Sequence, residues 1–312
     1  MSRELIVLGT ASQVPTRTRN HNGYLLRWDA TVTLFDPGEG TQRQMIHAGV
    51  PVSAVTRICV THFHGDHCLG LPGVIQRMSL DGVSRQVPVC FPVGGAAYFE
   101  RLRHASIFDD RVEVCPLPVP ESTDGSLTLV LDDSTSATTL FAASLRHRVE
   151  TVGWRVEERA GRTMLPDRLA EYGITGEAVG RLQRDGASTV GGRVVSIEEV
   201  SVDRPGQVFA FVMDTGWCDG ALALARDADL LVCEATFAEE ETDRAIEWGH
   251  LTARQAGRLA SEAGVRRLVI SHFSQRYPDV TPLAEEAARE FRGDVVVAED
   301  LLRVAVPSRQ RL

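Results

Sequence analysis

Short apolar runs alternate with segments of helical period along most of the chain. "ELIVLGT", "GYLLRW" and "VTLFDPG" predict strands near the amino terminus. "GTQRQMIHAG" predicts a short helix and "RICVTH" a buried strand. "LGLPGVIQRMSL" predicts a helix broken near its start by Pro72. "VPVCFP" follows as a strand and "AAYFERLRHAS" as a helix. "VEVCPLPV", "LTLVLDD" and "TLFAASLRH" predict three further strands. Toward the carboxyl terminus, strands at "QVFAFVMDTG", "DLLVCEATF", "VRRLVISHF" and "DVVVAED" alternate with helices at "GALALARDA", "TARQAGRLASEAG" and "PLAEEAAREFRG". Alternation of this kind predicts a layered α/β domain.

Between Arg155 and Arg193 the pattern weakens, because Gly and charge are frequent there. This predicts an insertion projecting from the domain, with a helix around "PDRLAEYG". With 312 residues, 43% hydrophobic and 24% charged, the chain can bury a large core. Residues 1–312 are read as one domain carrying the 155–193 insertion. The formal charge is -9, from 42 acids against 33 bases, so nucleic-acid contact would have to rest on local patches. Every fixed positive charge is an arginine. Arginine suits bidentate phosphate contacts, although coding bias explains the absence of lysine more simply.

The six cysteines, Cys59, Cys68, Cys90, Cys115, Cys218 and Cys233, form no CxxC pair and sit mostly in apolar runs. They predict small buried side chains rather than a disulfide framework. The apolar part of "MSRELIVLGT" is too short for a signal peptide and no run is long enough to span a bilayer. The cytoplasm is therefore the expected location.

The chemistry concentrates in "THFHGDH", which places three of the nine histidines and one aspartate within six residues. His62 and His64 are two apart just beyond a strand, so extended backbone points both imidazoles the same way. Asp66 and His67 follow in a turn opened by Gly65 and can face a second ion beside the first. Imidazoles with a carboxylate suit zinc(II), and less well Fe or Mn. One loop does not complete two coordination shells. His147, Asp214 and His272 each follow an apolar strand and complete the candidate set, with Asp214 placed to bridge. Arg17 and Arg19 in one turn, and Arg276 after the last candidate ligand, are candidate phosphate contacts. His21, His47 and His104 are read as surface or packing residues.

The His62-Phe63-His64-Gly65-Asp66-His67 loop, with His147, Asp214 and His272 in order behind it, resembles the metallo-β-lactamase superfamily. Within it the chain resembles the ribonuclease Z family almost end to end. The similar segments include "LGTASQVPTRTRN", "HRVETVGWRVEE", "CEATF", "HLTARQAG", "SHFSQRY" and "VAEDLL". The resemblance implies an αββα four-layer sandwich with a dinuclear site at the sheet edge. It also implies a homodimer that cleaves the 3′ trailer from precursor tRNA, leaving a 3′-hydroxyl, and an arm at 155–193 that grips the tRNA. On this reading His62, His64 and His147 hold one zinc, Asp66, His67 and His272 hold the other, and Asp214 bridges them. Asp66 also takes the proton of the attacking water, His250 protonates the leaving 3′-oxygen, and Glu234 orients His250. The chain departs from the family pattern at Cys233, where a histidine is usual, at Leu251, where a serine is usual, and around Asp214, which reads "MDTGW". Its insertion lacks the family's Gly-Pro signature and carries seven arginines against six acids. Two other functions fit the same ligands: a phosphodiesterase or esterase for small molecules, and a metal-stabilised RNA-binding protein without turnover. A structural zinc site is normally closed and mononuclear, which weighs against the last.

Overall fold

Alternation along the strands decides the layering. In the strand Arg3–Gly9, Leu5 and Val7 face one apolar cluster while Ile6 and Leu8 face another. In the strand Val208–Val212, Phe209 and Phe211 join the first cluster while Ala210 and Val212 face a third. Side chains of successive strand residues point to opposite faces, so each sheet buries both. The computed structural model describes residues 3–132 and 136–309. Asp133, at the end of the expected "LTLVLDD" strand, lies outside the described residues, as do Met1 and Ser2.

The chain forms two compact units, one of Met1–Glu157 with Val208–Leu312, the other of Glu158–Gln207. The larger holds two seven-stranded mixed sheets. The first runs Arg303–Ala305, Arg3–Gly9, Gly23–Trp28, Thr31–Phe35, Arg57–Cys59, Val87–Pro92 and Val114–Val119 in spatial order. The second runs Asp294–Val297, Arg267–Ser271, Leu230–Glu234, Val208–Val212, Thr151–Glu158, Thr138–Leu145 and Thr128–Leu131. The cluster shared by the two sheets contains Phe35 stacked on Phe211 at 4.9 Å between centroids and Tyr24 edge-on to Phe211 at 5.1 Å. Each such pair adds about 0.5–1.5 kcal/mol beyond its area. Helices Thr41–His47, Leu71–Leu80 and Ala96–Arg103 cover the outer face of the first sheet through Met45, Val74, Ile75, Met78 and Phe99. Helices Asp219–Ala225, Ala253–Glu262 and Thr281–Glu290 cover the second through Leu224, Leu259 and Leu283. The result is the four-layer α/β/β/α sandwich.

Thr31–Phe35 runs parallel to Arg57–Cys59, and Val208–Val212, Leu230–Glu234 and Arg267–Ser271 run parallel to one another. Their carboxyl-terminal ends therefore deliver Asp36, the Thr61–His67 loop, Asp214, Glu234 and His272 to strand edges.

Several elements differ from the sequence pattern. Pro72 lies in the first turn of Leu71–Leu80, where its missing N–H costs no hydrogen bond, so it starts the helix instead of breaking it. Gly65 opens a one-turn helix, Gly65–Cys68. The strand Thr151–Glu158, the helix Thr242–Trp248 and the strand Arg303–Ala305 were not anticipated.

The smaller unit also has different limits from 155–193. Arg155 belongs to the strand Thr151–Glu158, which pairs antiparallel with Val208–Val212, Glu157 opposite Val208. Within Glu158–Gln207, Gly161–Met164 pairs with Ser201–Arg204, and Ala187–Val190 pairs with Arg193–Ser196. The expected helix is Pro166–Glu171, and a second one spans Glu177–Asp185. Leu169, Ile174, Leu182, Val195 and Val200 form its small core.

Candidate metal centre and active site

The seven candidate ligands fall into two groups of donor atoms that share Asp214. In the first, His62 Nε2 lies 2.9 Å from His64 Nδ1, and His147 Nε2 lies 3.4 Å from the same atom. Asp214 Oδ2 closes it at 3.7 Å from His62 Nε2 and 3.9 Å from His147 Nε2. In the second, His67 Nε2 is 3.3 Å from both Asp66 Oδ2 and Asp214 Oδ2. His272 Nε2 is 3.5 Å from Asp66 Oδ2 and 3.1 Å from Asp214 Oδ1. A zinc ion with bonds of about 2.0–2.1 Å has tetrahedron edges of roughly 3.3–3.4 Å. Both groups bracket that value, so the residues fit divalent zinc. Asp214 Oδ1 and His272 Nε2 are also buried and find no hydrogen-bond partner among the described residues. Orphaned buried polar atoms are expensive, and a cation between them would satisfy both.

Hydrogen bonds behind the imidazoles fix which nitrogen is offered. Asp36 Oδ2 accepts from His67 Nδ1 at 2.8 Å, and the Gly249 carbonyl accepts from His147 Nδ1 at 2.9 Å. The Thr236 hydroxyl donates to Glu234 and accepts from His272 Nδ1 at 2.7 Å. Likewise the Thr61 hydroxyl donates to Asp36 and accepts from His62 Nδ1 at 3.1 Å. Each places the proton on Nδ1 and leaves the Nε2 lone pair facing the cluster. Asp36, Thr61 and Thr236 were not among the sequence candidates. "FDPG" contains Asp36, "THFHGDH" Thr61 and "EAT" Thr236, but nothing local reveals that Asp36 meets His67 or Thr236 meets His272.

The electrostatics agree with this arrangement. Burial pushes His62, His64 and His147 toward the neutral form that a cation requires. Burial would raise the Asp66 and Asp214 carboxyls, but the neighbouring His67 and His272 hold both well below the usual range. Burial would also depress His67, yet Asp214, Asp66 and Asp36 hold it up. Three carboxylates around one buried ring make the acidic surplus that a divalent cation balances. Asp36, Asp214 and His272 all have positive φ, at 43°, 50° and 61°. Left-handed backbone in such residues is uncommon and gathers at functional sites.

His250 stands beside both groups. Its Nδ1 is 3.0 and 3.1 Å from the two Glu234 oxygens, and its ring is 5.0 Å from that of His147 and 5.4 Å from that of His272. Burial would lower its pKa, but the Glu234 carboxylate overrides this and holds it at about 9. Glu234 is buried and also accepts the Thr215 N–H. His250 lies between two helices. It follows Gly249, the cap of Thr242–Trp248, and precedes the Thr252 cap of Ala253–Glu262.

A cleft of about 690 Å³ exposes the cluster, with His64, Asp66, His147, Asp214, His250 and His272 in its wall. Arg276 is exposed and lines it. Arg19 does not line it: its guanidinium packs 4.9 Å over the Phe273 ring and donates to the Thr10 hydroxyl, fixing the loop from behind. Arg17 is exposed and outside the lining. His47 and His104 are exposed, and His21 packs with Nε2 3.1 Å from the Gln13 carbonyl. The departures at Cys233 and Leu251 are core positions. Both side chains sit in the apolar layer under the outer helices, away from the ligand face.

The family model of the metallo-β-lactamase superfamily matches residues 16–195, and that of the β-lactamase superfamily domain matches 188–273. A ribonuclease Z of Salinispora arenicola is 59% identical over 99% of this chain and 98% of its own. The ribonuclease Z of Streptomyces coelicolor is 56% identical over 99% of each chain. The crystal structure of the short form of human tRNase Z superimposes with a TM-score of 0.71 at 26% identity, covering 98% of this chain and all of that one. The chain therefore belongs to the metallo-β-lactamase superfamily and, within it, to the ribonuclease Z family.

Proposed function

We propose that this chain is a metal-dependent endoribonuclease that removes the 3′ trailer from precursor tRNA and leaves a 3′-hydroxyl. The observation that carries the reading is the pair of donor groups sharing Asp214, set in one cleft beside the His250–Glu234 pair. The nitrogen-rich donors and their spacing support two zinc ions, with His62, His64 and His147 around one, Asp66, His67 and His272 around the other, and Asp214 common to both. Such ions, when bound, supply Lewis acidity at the phosphate and make water a nucleophile near pH 7. The residues do the remainder. Asp66 lies at the cleft wall and accepts the proton of the attacking water. His250, protonated because Glu234 holds its Nδ1–H, presents its other nitrogen to the leaving group. As the new bond to phosphorus forms, the bond to the 3′-oxygen breaks and His250 protonates that oxygen. Arg276, exposed in the cleft lining, is read as a contact for a flanking phosphate. The Glu158–Gln207 unit is read as the grip on the tRNA body. A homodimer, which rests on the family resemblance, and the cytoplasmic location expected from the sequence are part of the same reading.

The test is purified protein loaded with zinc, offered precursor tRNA and, separately, bis-p-nitrophenyl phosphate. Cutting after the discriminator base, with a 3′-hydroxyl product, is expected. Rapid hydrolysis of the chromogenic diester beside intact precursor would assign a small-molecule phosphodiesterase instead.

A further inference from the structure

Two segments meet at the rim of the cleft. One is His147–Arg148; the other is Trp248–Gly249–His250. A hydrogen bond from His147 Nδ1 to the Gly249 carbonyl, 2.9 Å, ties them together. The approach is close: Gly249 has φ 72°, and a Cβ there would come within 3.2 Å of the His147 ring. Across this junction the Arg148 guanidinium lies 4.7 Å over the Trp248 ring. Trp248 is nonetheless 45% exposed, and both residues line the cleft that holds the metal ligands. An indole of this size normally buries itself; Trp28 and Trp154 do so completely or nearly so. Here one face is covered by a cation and a large part of the ring remains open.

We propose that Trp248, backed by Arg148, is the stacking platform for the base of the nucleotide that keeps the new 3′-hydroxyl. The inference rests on the endonuclease reading and deepens it. His250, two residues along, meets the departing 3′-oxygen, so the ribose carrying that oxygen enters from the His250 side. The adjoining aromatic face is where its base arrives. Stacking on an aromatic ring is sequence-tolerant, because every base has a π-face. An enzyme acting on many tRNAs needs that tolerance at the nucleotide before the cut. The Arg148 guanidinium polarises the ring from its covered face.

The test compares zinc-loaded wild type, W248A and W248F on two substrates: an ordinary precursor tRNA, and the same precursor with an abasic ribose at the position before the cut. Wild type should lose between about 5- and 150-fold in kcat/KM on the abasic substrate, the range for one stacked base. W248A should show that loss on the ordinary precursor and lose nothing more on the abasic one. W248F should recover most of the deficit. If W248A cuts ordinary precursor as well as wild type, or the abasic change costs it as much as it costs wild type, the platform is wrong. A wild type that cuts neither precursor sinks the endonuclease reading and the platform with it.

Discussion

Replacing Asp36 with asparagine removes one charge from a buried position and almost no volume. The carboxylate accepts three hydrogen bonds: the Thr61 N–H at 2.7 Å, the Thr61 hydroxyl at 2.8 Å and His67 Nδ1 at 2.8 Å. An asparagine oxygen can keep the first. Its amide nitrogen then faces the Thr61 hydroxyl and the His67 ring as a donor. The bond that holds the proton on Nδ1 is lost, and His67 is free to carry it on Nε2, the nitrogen offered to the second donor group. Loss of such an orienting partner typically costs about 10–100-fold in metal affinity, or about 1.4–2.8 kcal/mol. The first group keeps its three imidazoles, although Thr61 also supports His62, so its affinity should fall less. Competition for zinc against a chromophoric chelator should resolve one weakened and one nearly normal site per chain, and precursor cleavage should fall in step with the weakened one. D36A serves as the stability comparison, since it leaves the buried Thr61 N–H unpaired at about 1–3 kcal/mol. D36N binding two zinc ions as tightly as wild type would refute the orienting role.

Three further outcomes follow from the site and the fold. H250A should retain its metal by elemental analysis while turnover on precursor falls by about 100-fold or more; unchanged turnover would remove His250 as the acid. Because Glu234 holds the His250 pKa up, the acid form is present below the raised pKa and lost as pH rises through it. E234Q should therefore move the alkaline limb of the rate profile to lower pH, and a limb that stays put would show that Glu234 does not set it. Glu157 lies opposite Val208 in register, so residues Glu158–Gln207 can be exchanged for an Asn-Gly turn that joins the two strands directly. That variant should hydrolyse a small diester normally and show a raised KM for precursor tRNA; equal losses on both would contradict a grip on the substrate.

Most strands of the body were legible from their apolar runs; four of the seven candidate ligands stood out by their density in "THFHGDH", and His147, Asp214 and His272 by following three later strands. The strand Thr151–Glu158 was not. Its inward residues Val152, Trp154 and Val156 alternate with Gly153 and Arg155, and the latter pair reads as loop. The structure supplies the reason for both. A Cβ on Gly153 would come within 2.4 Å of Leu224, and Arg155 spends its guanidinium on the carbonyls of Leu224 and Arg226 at 2.7 and 2.6 Å. A buried arginine satisfied by a helix end disguises a central strand. Asp36 was invisible for a different reason. Only the register that pairs Phe35 with Cys59 brings it beside Thr61 and His67, and register is a property of the sheet. The limits of the smaller unit were misplaced because short hairpins and Gly-rich turns carry little periodicity.

The left-handed backbone at Asp36, Asp214 and His272 bears on how this enzyme can be engineered or can evolve. Each such residue gives up on the order of 1–3 kcal/mol of folding stability. A search for heat tolerance would find relief there by glycine, and every relief would delete a candidate ligand or the carboxylate that orients one. Heat-adapted descendants should leave these three positions alone and draw their gains from elsewhere. Leu301, also left-handed at φ 69° and partly exposed, is a position where glycine relaxes the backbone without touching the chemistry.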